Sequence, residues 1–567
     1  MFIPAAATLR LDANWVDYVI IALYFCFVLG IGIAAKRSVS SSIDFFLSGR
    51  SLPAWVTGLA FISANLGAVE IMGMSANGAQ FGIPTVHYFW IGAVPAMLFL
   101  GVVMMPFYYG SKVRSVPEFM RRRFGTGAHL VNALSFAVAQ LLIAGINLFL
   151  LAKIVNIMLG WNLYISLLVA AAIVLSYILL GGLSAAIYNE VLQFFIIVAA
   201  LLPLTLVGLY KVGGYSGLKD KITAAGDGAA QLNSWPGTNL TGITNPTLSV
   251  IGLIFGLGFV LSFGYWTTNF VEVQRAMATS SISAAQRSPI IGSFPKMFVP
   301  FIVIFPGMIA AVVASEVAKA KSSGSTTFDY NNSLLYLVRD LLPNGMLGVA
   351  IAGLLASFMA GMAANISAFN TVFSYDLWQT YVRKDRPDGY YTTVGRIATV
   401  AATIIAIGTA LFARNYQNIM LYLQTLFGFF NAPLFATFIL GMFWKKMTPT
   451  AGWAGLVSGT FAAVLLGVLS VDALGPMSTG AISGLKGQGA SFAAAGAAFI
   501  VDILVSVVVT GMTSPRPENQ LRGLVYSLTP KADFHDEDEG TQSWWQQPTK
   551  LASVSLVMVI ILNILFW

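Results

Sequence analysis

Long apolar runs constrain this chain more than any other feature. Runs of roughly 17–30 apolar residues recur along its length, and each is long enough to cross the hydrocarbon core of a bilayer as a helix. Hydrophobic residues make up 57% of the 567 positions and charged residues 10%, whereas a soluble domain has about 25% charged residues. Several soluble cores would need far more charged surface to cover them. The sequence therefore predicts an all-α integral membrane protein.

We predict about fourteen transmembrane helices from the length and composition of these runs. The apolar segments are 15–35, 54–80, 86–108, 130–158, 163–181, 186–212, 248–270, 293–314, 345–375, 393–413, 416–443, 449–471, 489–512 and 551–567. No stretch between them has the length of a separate enzymatic domain. The protein is therefore expected to consist of membrane-spanning helices joined by short loops.

Positive residues concentrate in alternate loops between these segments, and positively charged loops tend to remain in the cytoplasm. The richer set comprises Lys36, Arg37, Arg50, Lys112, Arg114, Arg121, Arg122, Arg123, Arg275, Arg287, Arg383, Lys384, Arg386, Lys445, Lys446, Arg516, Arg522, Lys531 and Lys550. Placing this set in the cytoplasm puts both termini outside, in a multi-pass protein of the plasma (cytoplasmic) membrane. The net charge of +8 is then a property of the loops, and no nucleic-acid partner is expected.

Two apolar segments contain unusually many small residues. Segments 54–80 and 248–270 each contain several glycines, and glycine weakens a helix by about 1 kcal/mol relative to alanine. One explanation is close helix packing through small side chains. The other is that both helices are interrupted. If residues 54–212 and 248–443 form two five-helix units, each such segment is the first helix of its unit, which in transporters indicates a binding site at the bilayer midplane.

With two such units, the chain is expected to divide into four parts. Residues 1–53 would form an N-terminal extra helix, residues 54–212 a first repeat, and residues 248–443 a second repeat. Residues 449–567 form C-terminal extra helices with a cytoplasmic loop at 513–550.

Ionisable residues inside apolar segments are expensive, because a charge at the membrane centre costs about 2.5–3.5 kcal/mol. Glu70 lies within the second segment, in GAVEIMG, and its side chain is too short to reach water. It needs a paired charge, a proton or a wet cavity. Lys296, in SFPKMFVPF, either joins such a site or extends to the cytoplasmic interface. Glu190, in IYNEVLQ, lies near the end of its span and is expected to be exposed to solvent.

Motifs for the commonest enzymatic and ATP-driven chemistries are absent from the sequence. It contains no G-x-x-x-x-G-K-[ST] phosphate loop, no H-E-x-x-H and no G-x-S-x-G. We therefore expect a transporter and not an enzyme. An intramembrane enzyme with dispersed active-site residues and a non-transporting solute sensor are the alternatives from other functional classes.

Six short motifs resemble those of the sodium:solute symporter family, in its sodium/sugar cotransporter branch, and the resemblance extends from about residue 15 to 470. The motifs are DFFLSGRSLPAW (44–55), GGLSAAIYNEVLQ (181–193), GYWTTNFVEVQR (264–275), FPGMIA (305–310), FNTVFSYDLW (369–378) and LGMFWKK (440–446). The resemblance implies a five-plus-five inverted-repeat (LeuT-like) core with extra terminal helices. It also implies alternating access around a site between the two broken helices.

The resemblance implies a solute site as well. The positions that line or gate the sugar in this family correspond to Asn65, Tyr265, Lys296 and Gln424, with Tyr265 stacking on the ring as the inner gate. Glu70 aligns with a sugar-facing position that usually holds Gln or His. The sugar-binding Glu of the family is replaced by Phe89, so the pocket is rearranged. A sugar is the expected solute, and a cationic or amine-bearing solute is the alternative.

The aligned sodium site departs further from the family pattern. Backbone carbonyls at Ser63, Leu66 and Ser357 would bind the ion, and the family's two hydroxyl ligands correspond to Ala360 and Gly361. A hard cation needs oxygen ligands, and neither of these side chains has one. The Ser63 hydroxyl or water is the expected substitute. The family's carboxylate on the ion path is retained as Glu190.

The sequence thus predicts a secondary active transporter that couples a small polar solute, most simply a sugar, to sodium. Sodium is the only expected metal, and no organic cofactor is expected. Proton coupling through Glu70 and uncoupled transport remain open. The expected partners are the solute and the lipid bilayer, and the sequence carries no signature of oligomeric state.

Overall fold

The computed structural model describes residues 9–36, 41–111, 113–226, 228–235, 252–325, 328–413, 419–471, 474, 477–485, 487–530 and 543–567. Several predicted features lie outside this set: Arg37, Lys112, Lys531, the middle of the loop 513–550, and the first residues of segments 248–270 and 416–443.

The described chain is helical, with one isolated backbone bridge between Leu52 and Thr279. In chain order the helices are α1 Trp15–Lys36, α2 Ser42–Leu47, α3 Ala54–Asn65, α4 Val69–Phe81, α5 Ile83–Gly110, α6 Val116–Phe124, α7 Thr126–Leu159, α8 Leu163–Val212, α9 Gly214–Ala224, α10 Gly228–Leu232, α11 Gly252–Thr268, α12 Phe270–Met277, α13 Ile282–Val313, α14 Ser315–Ser322, α15 Ser333–Leu341, α16 Met346–Val382, α17 Asp388–Ala413, α18 Ile419–Phe443, α19 Pro449–Leu469, α20 Gly487–Met512 and α21 Pro548–Leu565. Single 3₁₀ turns lie at Ser48–Arg50, Tyr330–Asn332, Glu518–Gln520, Tyr526–Leu528 and Trp544–Gln546.

The helices bear out the predicted membrane class. Within the described residues, eleven helices are long and apolar enough to cross a membrane, and two bent pairs bring the number to thirteen. The remaining predicted segment, 163–181, is the first part of α8, where the apolar helical stretch Leu163–Ser176 is shorter than the others. The total of fourteen spans stays a prediction.

The first predicted interruption is present. Helix α3 ends at Asn65, Leu66 adopts φ −71° and ψ 46°, and α4 begins at Val69 with its axis bent by 58°. Close packing, the competing explanation for the small residues, also holds in this segment. A Cβ added to Gly78 would lie 2.2 Å from the carbonyl oxygen of Ile304, so α4 and α13 approach at backbone distance.

The second broken helix is also present, but its glycines are not at the break. Helix α11 gives way to α12 at Asn269, which has φ −71° and ψ 114°, and the two axes differ by 48°. The Asn269 side chain accepts a hydrogen bond from the backbone N–H of Val271 at 3.0 Å and so caps α12. The glycines serve packing instead: a Cβ on Gly264 would lie 2.9 Å from the carbonyl oxygen of Asn431.

Burial separates the central helices from the peripheral ones. The most apolar window of α16 is 89% buried, and those of α13 and α18 are each 78% buried. The corresponding windows of α1 and α21 are only 28% and 22% buried. The terminal helices therefore lie at the edge of the bundle, and the helices that carry the predicted site residues lie inside it.

Candidate functional site

A cavity of about 80 Å³ lies between the two helix breaks. Gly67 from the first break and Asn269 from the second both line it. The five predicted solute-binding residues line the same cavity: Asn65, Glu70, Tyr265, Lys296 and Gln424. These residues come from five helices (α3, α4, α11, α13 and α18), so the folded bundle brings together what the sequence spreads over 360 positions.

Lys296 is the centre of the polar network in this cavity. Its side chain is only 1% exposed, which rules out an extended position at the membrane interface. The Nζ atom donates hydrogen bonds to Glu70 Oε1 at 2.7 Å and to Asn65 Oδ1. It also lies 4.9 Å from the ring centre of Phe89 and 5.2 Å from that of Trp266. The ion pair and the two ring faces stabilise the buried ammonium group.

Glu70 has two of the three environments that the sequence allowed. Its carboxylate is paired with Lys296, and it lines the cavity with 15% of its side chain exposed. As the second residue of α4, it lies at the positive end of that helix, which favours a negative charge. The helix break is what brings this helix end into the middle of the bundle.

Tyr265 closes one wall of the cavity. Its ring centre lies 4.4 Å from that of Phe427, and its hydroxyl accepts a hydrogen bond from Asn65 Nδ2 at 3.0 Å. The same hydroxyl donates to Glu272 Oε1 at 2.6 Å. A continuous polar chain therefore runs from Glu70 through Lys296, Asn65 and Tyr265 to Glu272.

Gln424 presents an unused acceptor. Its Oε1 atom is buried and accepts no hydrogen bond from any residue that the structure describes. Its Nε2 contacts only the sulfur of Met420 at 3.5 Å among the contacts of the described chain. A buried amide oxygen without a partner is costly, so this group is available to a hydroxyl of a bound molecule.

The aligned sodium positions surround the first break, next to this cavity. The Ser357 hydroxyl donates to the Leu66 carbonyl at 2.5 Å. The Ser63 hydroxyl is buried and has no hydrogen-bond partner within the described ranges. Ala360 and Gly361 lie buried in α16, and only Gly361 of the five positions lines the cavity.

Asn147 fills the space beside Gly361, and sequence reasoning missed it. Its Oδ1 accepts a hydrogen bond from the Ala68 backbone N–H at 3.1 Å, which caps the start of α4. A Cβ added to Gly361 would lie 2.6 Å from this oxygen, and one added to Gly67 would lie 2.8 Å from it. An amide oxygen from α7 thus lies where α16 carries no side-chain oxygen.

A sequence profile described as "SSF: Sodium:solute symporter family" matches residues 45–459. The match covers most of the chain and includes both broken helices.

The chain belongs to the sodium:solute symporter family.

Similar proteins within this family are sodium cotransporters. A sodium/glucose cotransporter of Vibrio parahaemolyticus is 29% identical over 80% of this chain and 85% of its own length. Sodium/glucose cotransporter 4 of Danio rerio is 30% identical over 81% of this chain and 72% of its own length. Sodium/myo-inositol cotransporter 2 of Oryctolagus cuniculus is 28% identical over 78% and 68%.

A solved structure of a Na⁺-coupled sialic acid symporter, in a substrate-bound outward-open state, has a TM-score of 0.74 to this protein. The likeness covers 89% of this chain and 99% of the other at 17% identity, so it concerns the fold. The fold is the predicted five-plus-five inverted repeat with additional terminal helices. The family comprises transporters and not enzymes, as predicted.

Two residues lie in a different environment from the one predicted. Glu190 was expected to be exposed to solvent, and Arg275 was counted among the loop residues, yet both are buried. Arg275 donates to both Glu190 oxygens, at 2.5 and 3.2 Å, and to the Val271 carbonyl at 2.7 Å. Because α12 turns inward after the second break, its basic end reaches α8 inside the bundle. The two charges neutralise each other there.

Proposed function

We propose that this protein is a secondary active transporter that carries a sugar or a related small polar solute together with sodium by alternating access. One observation supports the proposal most strongly: the cavity at the two helix breaks is lined by all five residues that align with solute positions of the family. A midplane site between broken helices is where inverted-repeat transporters bind their cargo. The names of the relatives, sodium/glucose and sodium/myo-inositol cotransporters, agree with this solute class.

The charges of the cavity favour a neutral polyol over a cation. The Glu70 carboxylate and the Lys296 ammonium cancel each other, while amide groups of Asn65 and Gln424 offer hydrogen bonds to hydroxyls. A cationic solute would have to displace Lys296 from Glu70 and would then repel it. The aromatic face of Tyr265 suits the apolar face of a sugar ring.

The pair also accounts for the substitution at Phe89. In the family a Glu at that position binds sugar, and here the carboxylate comes from residue 70 on the preceding helix. The Phe89 ring lies against the Lys296 ammonium, so the lysine keeps a favourable neighbour on that side. We infer that a carboxylate–lysine pair facing the solute is retained in a rearranged form.

Sodium coupling needs oxygen ligands near the first break. The Leu66 carbonyl already accepts a hydrogen bond from Ser357, but a carbonyl oxygen has two lone pairs and retains one for a cation. The Ser63 hydroxyl supplies a further oxygen without a protein partner in the described parts of the chain. Proton coupling through Glu70 is the second candidate, and the missing oxygens at Ala360 and Gly361 favour it.

We further propose that the protein spans the cytoplasmic membrane with both termini outside. The orientation rests on the distribution of loop arginines and lysines, from which the buried Arg275 is now removed.

Uptake of labelled hexoses and myo-inositol into proteoliposomes tests the function. One set of vesicles has an inward sodium gradient and no proton gradient, and a matched set has an inward proton gradient in choline. Accumulation in the first set alone supports sodium symport, and accumulation in the second alone supports the proton mechanism. Solute binding without uptake in either set would indicate a sensor and contradict transport.

A further inference from the structure

Glu272 is a charged residue that the solute site does not use. It lies in α12, is fully buried, and stands behind Tyr265, outside the described lining of the cavity. Its Oε1 accepts a hydrogen bond from the Tyr265 hydroxyl at 2.6 Å. Its Oε2 is buried and accepts no hydrogen bond from any described residue.

The neighbouring charges do not pair with this carboxylate. Arg275, on the same helix, gives its Nε and Nη2 to the two oxygens of Glu190 on α8. Lys296 on α13 donates to Glu70 and Asn65. Among the described residues, Arg275, Lys296 and Glu190 are the charged neighbours of Glu272, and Tyr265 is the phenol bonded to it. Both cations near Glu272 are therefore already paired with another carboxylate. Its other ionisable neighbours are the Glu190 carboxylate and the Tyr265 phenol.

A buried carboxylate with a single hydrogen bond is unfavourable unless the state that contains it is transient or functional. Packing does not explain its presence, because Val271 and Val273 on either side of it are buried apolar residues in the same short helix. Among the described residues, the one side chain hydrogen-bonded to Glu272 is Tyr265, which closes the cavity. The position of Tyr265 is thus tied to the charge of Glu272.

We propose that Glu272 is a latch for Tyr265, and that proton binding to Glu272 releases the tyrosine and opens the cavity towards the side that carries Arg275 and Glu190. The proposal rests on the alternating-access function proposed above and deepens it, because it names the group that regulates one gate. The proton would come from water on that side, which we predict to be cytoplasmic. Tyr265 stays neutral throughout.

The direction of the effect follows from hydrogen-bond strength. An ionised carboxylate accepts a charge-assisted bond from the phenol, and this bond is roughly twice as strong as one to a neutral carboxylic acid. The ionised form therefore holds Tyr265 against Phe427 and keeps the cavity closed. The protonated form weakens that hold, so acidification of the predicted cytoplasmic side should favour opening.

A cysteine reporter measures this opening without solute or ion gradients. Cys26, which is exposed on α1, is replaced by serine, and Ala64 in the cavity wall is replaced by cysteine. A membrane-impermeant maleimide is added to each face of oriented vesicles between pH 5 and 8. The protein with these two cysteine changes is the reporter parent, and Glu272→Gln is added to it. The readout is the labelling rate of this variant divided by that of the reporter parent at the same pH. The division removes the pH dependence of thiol chemistry.

Glu272→Gln keeps the shape of the side chain and removes its charge. From the predicted cytoplasmic face, the ratio should be about five- to tenfold at pH 8, the difference between a charged and a neutral hydrogen bond, and should approach one at pH 5. Tyr265→Phe removes the donor altogether, so its ratio should be at least as large at pH 8 and should also fall as the pH is lowered, but should stay above one at pH 5 because the parent keeps a weaker bond to the neutral acid. Glu518→Gln removes an exposed carboxylate that pairs with Lys445 and should stay at one throughout.

A ratio of one at every pH, or a raised ratio that does not change with pH, would overturn the latch. If Glu272→Gln does not fold, the Tyr265→Phe curve decides, because that variant keeps the buried carboxylate. A flat curve for Tyr265→Phe would then overturn the proposal. Because the assay needs no solute, failure of sugar uptake and failure of the latch are separate results.

Discussion

Lys296 and Glu70 show how a membrane site carries two charges that neither water nor lipid stabilises well. Each has the other as its counter-ion, and the cavity surrounds the pair with one amide and two aromatic rings. Removing one partner from a buried ion pair leaves an uncompensated charge and typically costs about 3–5 kcal/mol, whereas replacing both is often neutral. This asymmetry separates the structural role of the pair from its role in solute binding.

We expect Glu70→Gln to lower thermal stability and to weaken solute binding. Lys296→Met should behave similarly, and the double variant should recover stability but not binding, because no charge is then left unpaired. Thermal unfolding in detergent and equilibrium solute binding measure the two effects separately. If the double variant loses at least as much stability as the two single variants lose together, the ion pair is contradicted.

Unchanged pH-dependent accumulation in Glu70→Gln would exclude Glu70 as the coupling proton site.

Asn147 and Gly361 form a second residue pair that can be tested. Gly361→Ser alone should fold poorly, because its Cβ would lie within 2.6 Å of the Asn147 amide oxygen. Combined with Asn147→Ala it should fold and should bind sodium more tightly, since the new hydroxyl is a hard oxygen ligand. Sodium titration followed by thermal stability measures this affinity. The account is contradicted if the single variant folds as well as the double variant.

Some site residues were predictable from sequence and others were not, for physical reasons. Lys296 and Glu70 were found because charges within apolar runs are rare. Asn147 was missed because a neutral amide inside the apolar segment 130–158 has no distinctive spacing. Glu272 was missed because it lies just beyond the end of an apolar segment, where charges are ordinary. Its burial depends on the direction in which α12 turns, which the sequence does not specify.

At the scale of elements, small residues had two functions that composition alone could not separate. In segment 54–80 the helix breaks at Leu66, directly before Gly67, and both Gly67 and Gly78 allow close contacts with neighbouring helices. In segment 248–270 the glycines provide packing, and Asn269 makes the break. The sequence therefore predicted which helices are broken, but it located only the first break within its glycine-rich region. Breaks are set by capping and by neighbouring helices, which lie far away in the chain.

The kink in α8 supplies a matched test of backbone strain and packing. Gly182 has φ +56°, and a Cβ there would lie 2.5 Å from the carbonyl oxygen of Phe45. Gly125 has a similar backbone conformation, φ +96° and ψ −163°, and a Cβ there would meet only the end of the flexible Arg516 side chain, at 3.0 Å. Both alanine variants incur backbone strain of the same kind, but only Gly182→Ala adds a clash with backbone, so it should lose about 1–3 kcal/mol more stability. Equal losses in thermal unfolding would contradict the close approach of α2 and α8.

For the whole molecule, the predicted class and repeat architecture were confirmed because they depend on the lengths and order of apolar segments. The family profile and the 0.74 TM-score to a sialic acid symporter support the same architecture. The total of fourteen spans and the repeat boundaries remain predictions. Bilayer length alone does not decide how the short stretch Leu163–Ser176 of α8 meets the membrane.

The fold also explains why the site is central. The two breaks interrupt the helices deep in the bundle, beside the heavily buried helices α13, α16 and α18. Irregular backbone at that depth is tolerated only where protein or a water-filled cavity satisfies its polar groups. Asn147, Asn269 and the solute cavity satisfy them here.

An electron cryomicroscopy map of the protein in sodium, with the hexose or inositol that it accumulates, tests the central claim most directly. The account predicts ligand density between the two breaks, stacked on Tyr265 and within hydrogen-bond distance of Lys296, Glu70 and Gln424. Ligand density outside this cavity, with the Lys296–Glu70 pair and the Gln424 amide left without contact to it, would contradict the account.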